Sequence, residues 1–326
     1  MNPLPQLEQP RLTLGVSACL MGRPVRFNGG HCRNGFLLDE VAPLADLVEV
    51  CPEMGVGMGA PRETIRQEAG PNGLIQLRAS KSGTDWTEPL TTYSNAKARE
   101  LAGLGLDGFI LKKDSPTCGL QRVKVYNQAG MAEKTGAGVF ARALRAEMPL
   151  LPIEEEGRLH DARIRENFFE RAYAHHRLRK FFVSEWSRGD LVRFHTAEKL
   201  LLMSHDPSLY GELGRLVGRV AEIGREQMAK QYCETFMRAL ETKASLKRQT
   251  NVLQHVVGYF KETLDASEKA ELLGLIDDFR RGLTPLAAPM ALVKHHVARN
   301  GVDYIAGQTY LEPHPKQLRL RAVLPG

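Results

Sequence analysis

Leu12-Thr-Leu-Gly-Val-Ser-Ala-Cys19 is a short apolar run that ends on a thiol, the pattern of a strand buried on both faces. Ala45-Asp-Leu-Val-Glu-Val-Cys51 repeats it, and Leu106-Asp-Gly-Phe-Ile-Leu-Lys112 gives a third such run. Between the last two, residues 92–104 carry helical spacing, with Ser94 or Asn95 as the cap, and Gly138 to Met148 reads as a further helix stopped by Pro149. Strands alternating with helices predict an α/β domain with a parallel, Rossmann-like sheet.

Past Leu151-Pro-Ile-Glu-Glu-Glu-Gly157, which reads as a charged linker, strand signals fade. The segments 159–187, 191–203, 210–240, 246–264, 267–283 and 285–298 all carry helical spacing, so this half is expected to be all-α. The expected domains are therefore residues 1–152 and 153–326. The 326-residue chain is 43% hydrophobic and 25% charged, which excludes fibrous and largely disordered classes. No run is long and apolar enough for a membrane span, and MNPLPQLEQP lacks the features of a secretory signal. Five scattered cysteines do not make a disulfide framework, so a cytoplasmic protein with no membrane association is expected. No feature demands an obligate protein partner. The net charge of +6 divides as +2 before residue 153 and +4 after it, and nine of the ten histidines lie in the second half. A polyanionic partner suits that balance.

Cys19 and Cys51 close the first two runs, and Cys118 follows the third within Ser115-Pro-Thr-Cys118-Gly119. In an open parallel sheet, ligands bind beyond the carboxyl ends of the strands, so these three thiols are placed to converge. The plain alternative is three small buried hydrophobes. Their flanks favour chemistry: Glu53 stands two residues beyond Cys51, Ser115 precedes Cys118, and Gly22, Gly29 and Gly30 add permissive backbone near Cys19. Three thiolates with an acid and a hydroxyl suit an iron–sulfur site with one iron open to substrate, where a fourth thiolate would suit electron transfer.

Ser17-Ala-Cys19-Leu-Met-Gly22, Arg26-Phe-Asn-Gly29, Cys51-Pro-Glu53, Ala60-Pro-Arg62 and Ser115-Pro-Thr-Cys118-Gly119, in that order, resemble the thiouracil desulfurase (TudS) family. The resemblance covers about the first 150 residues. It implies a [4Fe–4S] cluster on Cys19, Cys51 and Cys118, with Glu53 and Ser115 as catalytic carboxylate and hydroxyl, and non-redox removal of sulfur from a thiolated pyrimidine. Asn28 stands where that family often has Asp. In the second half, His195-Thr-Ala-Glu-Lys-Leu-Leu-Leu-Met-Ser-His205, Asn251-Val-Leu-Gln-His-Val-Val-Gly-Tyr259 and Gln308-Thr-Tyr-Leu-Glu-Pro-His-Pro315 resemble the helical domain often fused to this desulfurase. The two-domain arrangement is similar to that of desulfidases acting on 4-thiouridine in tRNA. The expected substrate is thus a thiolated uracil within tRNA, with free thiouracil or a thionucleoside as the second enzymatic reading. An iron–sulfur redox sensor with a nucleic-acid-binding or protein-binding helical half is the non-enzymatic one.

Candidate substrate contacts are Ser17, Arg26, Asn28 and Lys112 near the thiols. In the helical half they are Arg171, Arg177, Arg179 and Lys180, a tract of fixed positive charges placed to grip phosphates. Cys32 and Cys233 read as structural. Thr135-Gly-Ala-Gly138 reads as a tight turn in preference to a phosphate cradle, and His195 and His205 as capping or buried hydrogen-bonding groups in preference to metal ligands.

Overall fold

The computed structural model describes residues 10–70 and 73–324; of the N-terminal stretch MNPLPQLEQP, Met1–Gln9 lie outside the described residues. Residues Arg11–Asp161 form one compact unit and the chain from Ala162 onward belongs to a second. The first contains β1 (Leu12–Ser17), β2 (Ala45–Val50), α1 (Pro52–Gly55), β3 (Ile65–Ala69), β4 (Ile75–Ala79), α2 (Thr87–Ala102), β5 (Gly108–Leu111), β6 (Val123–Tyr126), β7 (Ala132–Gly136), α3 (Val139–Glu147) and β8 (Ile153–Glu155). The three apolar runs are β1, β2 and β5, and with β8 they make an all-parallel sheet in the order β2-β1-β5-β8. Leu12, Leu14, Val16, Phe109, Ile110 and Leu111 are buried, as the unbroken hydrophobicity of these runs requires. Phe109 meets Phe140 of α3 edge-to-face at 5.6 Å, and Ala98 and Leu101 of α2 join the same core.

Three local expectations are corrected. Helix α2 begins at Thr87, and Ser94 is a buried residue inside it. The cap position is Trp86, and the Asp85 carboxylate just before it accepts the Thr87 amide at 2.8 Å. A second sheet, β4-β3-β6-β7, went unread because its strands alternate apolar with charged residues and Gln67 takes a fully buried position. The Leu151–Gly157 segment is no free linker: β8 pairs with β5, and the break expected at residue 152 falls before this strand.

The second unit contains α4 (Ala162–Val183), α5 (Arg188–His205), α6 (Pro207–Gly218), α7 (Arg225–Glu241), α8 (Leu246–Val257), α9 (Ala266–Arg280), α10 (Ala287–Asn300) and the short α11 (Asp303–Ala306), and no strand among its described residues. Its starts are capped where the sequence is punctuated. Asp206 accepts the Ser208 and Leu209 amides with Pro207 in the first turn, and Asp265 forms a capping box with Glu268. The run expected over 210–240 is divided into α6 and α7 between Gly218 and Gly224. His195 is buried against Tyr232, and His205 bridges the Thr242 carbonyl and Glu170, so both are hydrogen-bonding core residues. Among the described residues, no helix is long and apolar enough to cross a membrane.

Candidate active site

Parallel pairing brings the carboxyl ends of β1, β2 and β5 to one edge, and the three cysteines stand there. Cys19 lies in a single helical turn after β1, Cys51 is the residue before α1, and Cys118 sits in the loop after β5. All three line one cavity of about 370 Å³, as do Glu53, Ser115, Ser17, Arg26 and Lys112. Asn28 does not line it; its side chain accepts the Gly30 amide and closes its own turn. Cys32 lies outside the lining as well, although its amide bonds the Cys19 carbonyl at 2.9 Å. Cys233 is half-buried on α7.

The wall is built by hydrogen bonds from its own loop. Ser115 Oγ accepts the Cys118 amide at 3.1 Å, which fixes the turn that aims the thiol. A Cβ on Gly119 would lie 2.8 Å from the Ser115 carbonyl oxygen, so the turn closes only on glycine. Asp114 adopts φ +59°, a left-handed conformation that Asp tolerates better than most residues. Behind the wall, the fully buried Thr117 hydroxyl donates to Glu53 Oε1 at 2.6 Å and stands 2.9 Å from Ser115 Oγ. One carboxylate and two hydroxyls thus form a continuous chain, with Glu53 Oε2 3.5 Å from Cys51 Sγ.

The Gly-rich turn before α3 has a structural task. The Gly138, Phe140 and Ala141 amides bond the carbonyls of Gly119 and Thr117, and a Cβ on Gly138 would lie 2.2 Å from the Thr117 oxygen. The helix start is therefore spent on the Cys118 loop, which leaves no phosphate cradle there.

Several participants were missed in the sequence. Thr117 was passed over beside Ser115, though its hydroxyl is the one that touches Glu53. Glu155 and Glu156 read as linker charge, yet Glu155 accepts the Leu120 amide at 2.8 Å. Glu156 accepts the Lys113 amide at 2.7 Å and pairs with the Lys112 ammonium. Lys112 therefore reaches the cavity already neutralised. Arg62, from the Ala60-Pro-Arg62 motif, lines the cavity while its guanidinium ties the Val25 and Gly59 carbonyls together.

Burial dominates the electrostatics of the thiols. It raises Cys19 to about 11, with Cys32 adding to the effect, and Cys51 to about 12, with the Glu53 charge adding to it. Burial and then Glu53 push Cys118 well above its ordinary value. Left to the protein alone, all three are neutral thiols.

The basic tract of the helical unit is corrected. Arg177 grips Glu198 with two nitrogens, at 2.6 and 3.0 Å, and Glu198 is buried; Arg171 stands 3.8 Å from Glu241. Arg179 is half-buried and only Lys180 is exposed. Helical geometry turns these charges onto neighbouring helices in place of one outward stripe. Arg177→Met is expected to cost about 3–5 kcal/mol by leaving Glu198 buried and unpaired, read as a lowered denaturation midpoint. A midpoint equal to wild type would return Arg177 to the surface.

Residues 14–156 match the 2-thiouracil desulfurase family model, and residues 199–315 match a family described as a protein of unknown function (DUF1722). A solved structure of a [4Fe-4S]-dependent thiouracil desulfidase, TudS, is similar at 26% identity with a TM-score of 0.38, covering 46% of this chain and 95% of that one. The uncharacterized protein YbgA of Escherichia coli (strain K12) is 34% identical over 152 residues, 46% of this chain and 90% of YbgA. With nine-tenths of that relative covered, the chain belongs to the YbgA family, and it joins to that membership an α/β unit that matches the 2-thiouracil desulfurase model.

Proposed function

We propose that the protein removes sulfur from a thiolated uracil without net redox change, converting 4-thiouridine in tRNA to uridine with release of sulfide. Cys19, Cys51 and Cys118 are proposed to hold a [4Fe–4S] cluster for this reaction. The observation that carries the reading is the convergence of three thiols, a buried carboxylate and a hydroxyl on one cavity, in a unit that matches the 2-thiouracil desulfurase model.

The residues fit the cluster. Three soft donors from three chain segments face one cavity, and burial alone keeps them protonated. Cys19, Cys51 and Cys118 would hold iron as thiolates, because coordination favours the deprotonated form against that cost. When bound, the cluster supplies an iron without a protein thiolate, a Lewis acid matched to a soft thiocarbonyl sulfur.

The protein's own groups handle water and protons. Glu53 takes a proton from the water that adds to the thiocarbonyl carbon and returns it to sulfur as the C–S bond breaks. Thiocarbonyl plus water gives carbonyl plus hydrogen sulfide, so no electron donor is needed. Thr117 fixes one Glu53 oxygen, leaving the other toward the thiol side, and Ser115 continues that chain to the cavity. Arg26 brings an exchangeable positive charge to the lining; Lys112 is held by Glu156. The helical half, with its larger positive excess, is proposed to supply tRNA affinity, offsetting the cost of exposing a base. Free thiols acting as ligands suit a reducing compartment, the cytoplasm.

Anaerobically reconstituted protein assayed for sulfide on thiolated tRNA, free 4-thiouridine and thiouracil tests the reading. Release from thiolated tRNA at the lowest substrate concentration supports it. Turnover of the free compounds with none from tRNA removes tRNA as the substrate.

A further inference from the structure

The three helical motifs, around His195, Asn251 and Gln308, have no part in the chemistry above, and many of their side chains are spent inward. Gln308 ties the Leu200 amide to the Thr196 carbonyl, Glu198 holds Arg177, and the Tyr310 hydroxyl meets Gln249. Lys199, His255 and Tyr259 are different. They come from α5, α8 and the turn after α8; Lys199 and Tyr259 meet Tyr304 of α11 at the surface, and His255 meets Tyr259.

The Tyr259 and Tyr304 rings stack at 4.9 Å with 14° between their planes, and His255 sets its ring against Tyr259 at 5.5 Å and 87°. The Lys199 ammonium lies 5.8 Å from the Tyr304 ring centre. Among the described residues Lys199 forms no ion pair with a carboxylate, so its charge is not cancelled locally. Tyr259 covers one face of Tyr304, yet Tyr304 remains 37% exposed. A packed core does not need a stacked phenol pair left open to water beside an uncompensated ammonium. A strand of RNA offers the complement to both: a flat base to extend the stack and a phosphate for the charge.

We propose that Tyr304, backed by Tyr259, stacks an unpaired base of the bound RNA and that Lys199 holds the adjoining phosphate. This rests on the reading of tRNA as the substrate. The contact tolerates any base, because every base has a π-face. It positions the RNA through the helical unit and takes no part in sulfur removal. Phosphate affinity, first assigned to the Arg171–Lys180 tract, is here assigned to Lys199.

The test uses full-length reconstituted protein and an unmodified tRNA transcript, with binding followed by fluorescence anisotropy across a salt series. Tyr304→Ala is expected to raise Kd about 10-fold, while Tyr304→Phe, which keeps the ring, stays within about twofold of wild type. Lys199→Ala is expected to reduce the slope of log Kd against log salt by about one phosphate contact. Turnover of free 4-thiouridine remains at the wild-type level in all three. Wild-type affinity in Tyr304→Ala overturns the stacking site while tRNA desulfuration by the parent protein still stands. Equal loss in Tyr304→Phe and Tyr304→Ala overturns it too, since the hydroxyl and not the ring would then be the cause. A parent protein that does not bind the transcript overturns both the site and the tRNA reading.

Discussion

Cys118→Ala is expected to abolish stable retention of iron and acid-labile sulfide after anaerobic reconstitution, and Cys19→Ala and Cys51→Ala to do the same. Each removes one of three thiols on a single cavity, and no fourth cysteine lines it to take the place. Cys32→Ala and Cys233→Ala are expected to keep the full complement. Cys32 is the sharper control, because its backbone amide touches the Cys19 carbonyl while its side chain stays outside the lining. The folded state is checked independently by the denaturation midpoint of each unloaded variant, since trading a buried thiol for a methyl is a small change of volume. Full iron and sulfide in a folded Cys118→Ala protein contradicts the ligand set.

Glu53→Gln is expected to retain the cluster and lose turnover by about 100-fold or more, the scale on which a positioned proton-transfer group acts. The substitution separates position from protonation. A glutamine fills the same volume and still accepts the Thr117 hydroxyl, whose 2.6 Å bond holds the native carboxylate, but it cannot take a proton from water. Ser115→Ala is expected to reduce turnover too, with a second cause mixed in, because its Oγ also accepts the Cys118 amide and shapes the ligand loop. Wild-type sulfide release from an iron-replete Glu53→Gln protein removes the carboxylate from the mechanism.

The central sheet was legible because β1 and β5 are buried on both faces. β1 and β5 are almost unbroken apolar runs, whereas the edge strand β2 carries Asp46 and Glu49 and is only partly buried; their parallel pairing sets the ends that carry Cys19, Cys51 and the Cys118 loop on one edge. The second sheet hid because β3 and β4 carry Arg66, Glu68 and Arg78 on half-buried faces and a buried Gln67, so no apolar run marked them. The Gln67 amide nitrogen donates to the carbonyls of Pro116 and Ala137, partners distant in sequence that periodicity does not reveal, while its Oε1 is buried without a partner.

The same limit applies to the site. Cys51-Pro-Glu53 is a local signal, and the spacing of an acid two residues past a thiol is visible directly. Thr117 reaches Glu53 across a separation of 64 residues, and Glu156 reaches Lys112 across 44. Charged residues in Leu151–Gly157 looked like a solvated connection because nothing local shows that β8 adds to the edge of β5. The Arg171–Lys180 tract misled in the opposite sense. Its composition is basic, but a helix distributes successive residues around its axis, and Arg177 faces a buried carboxylate.

The most direct measurement of the central claim counts products from anaerobically reconstituted protein and thiolated tRNA, in water enriched in oxygen-18 and with no reductant added. The account predicts one sulfide released for each uridine formed, with the new carbonyl oxygen drawn from the labelled water. Sulfide release that requires an electron donor, or uridine without the label, contradicts it.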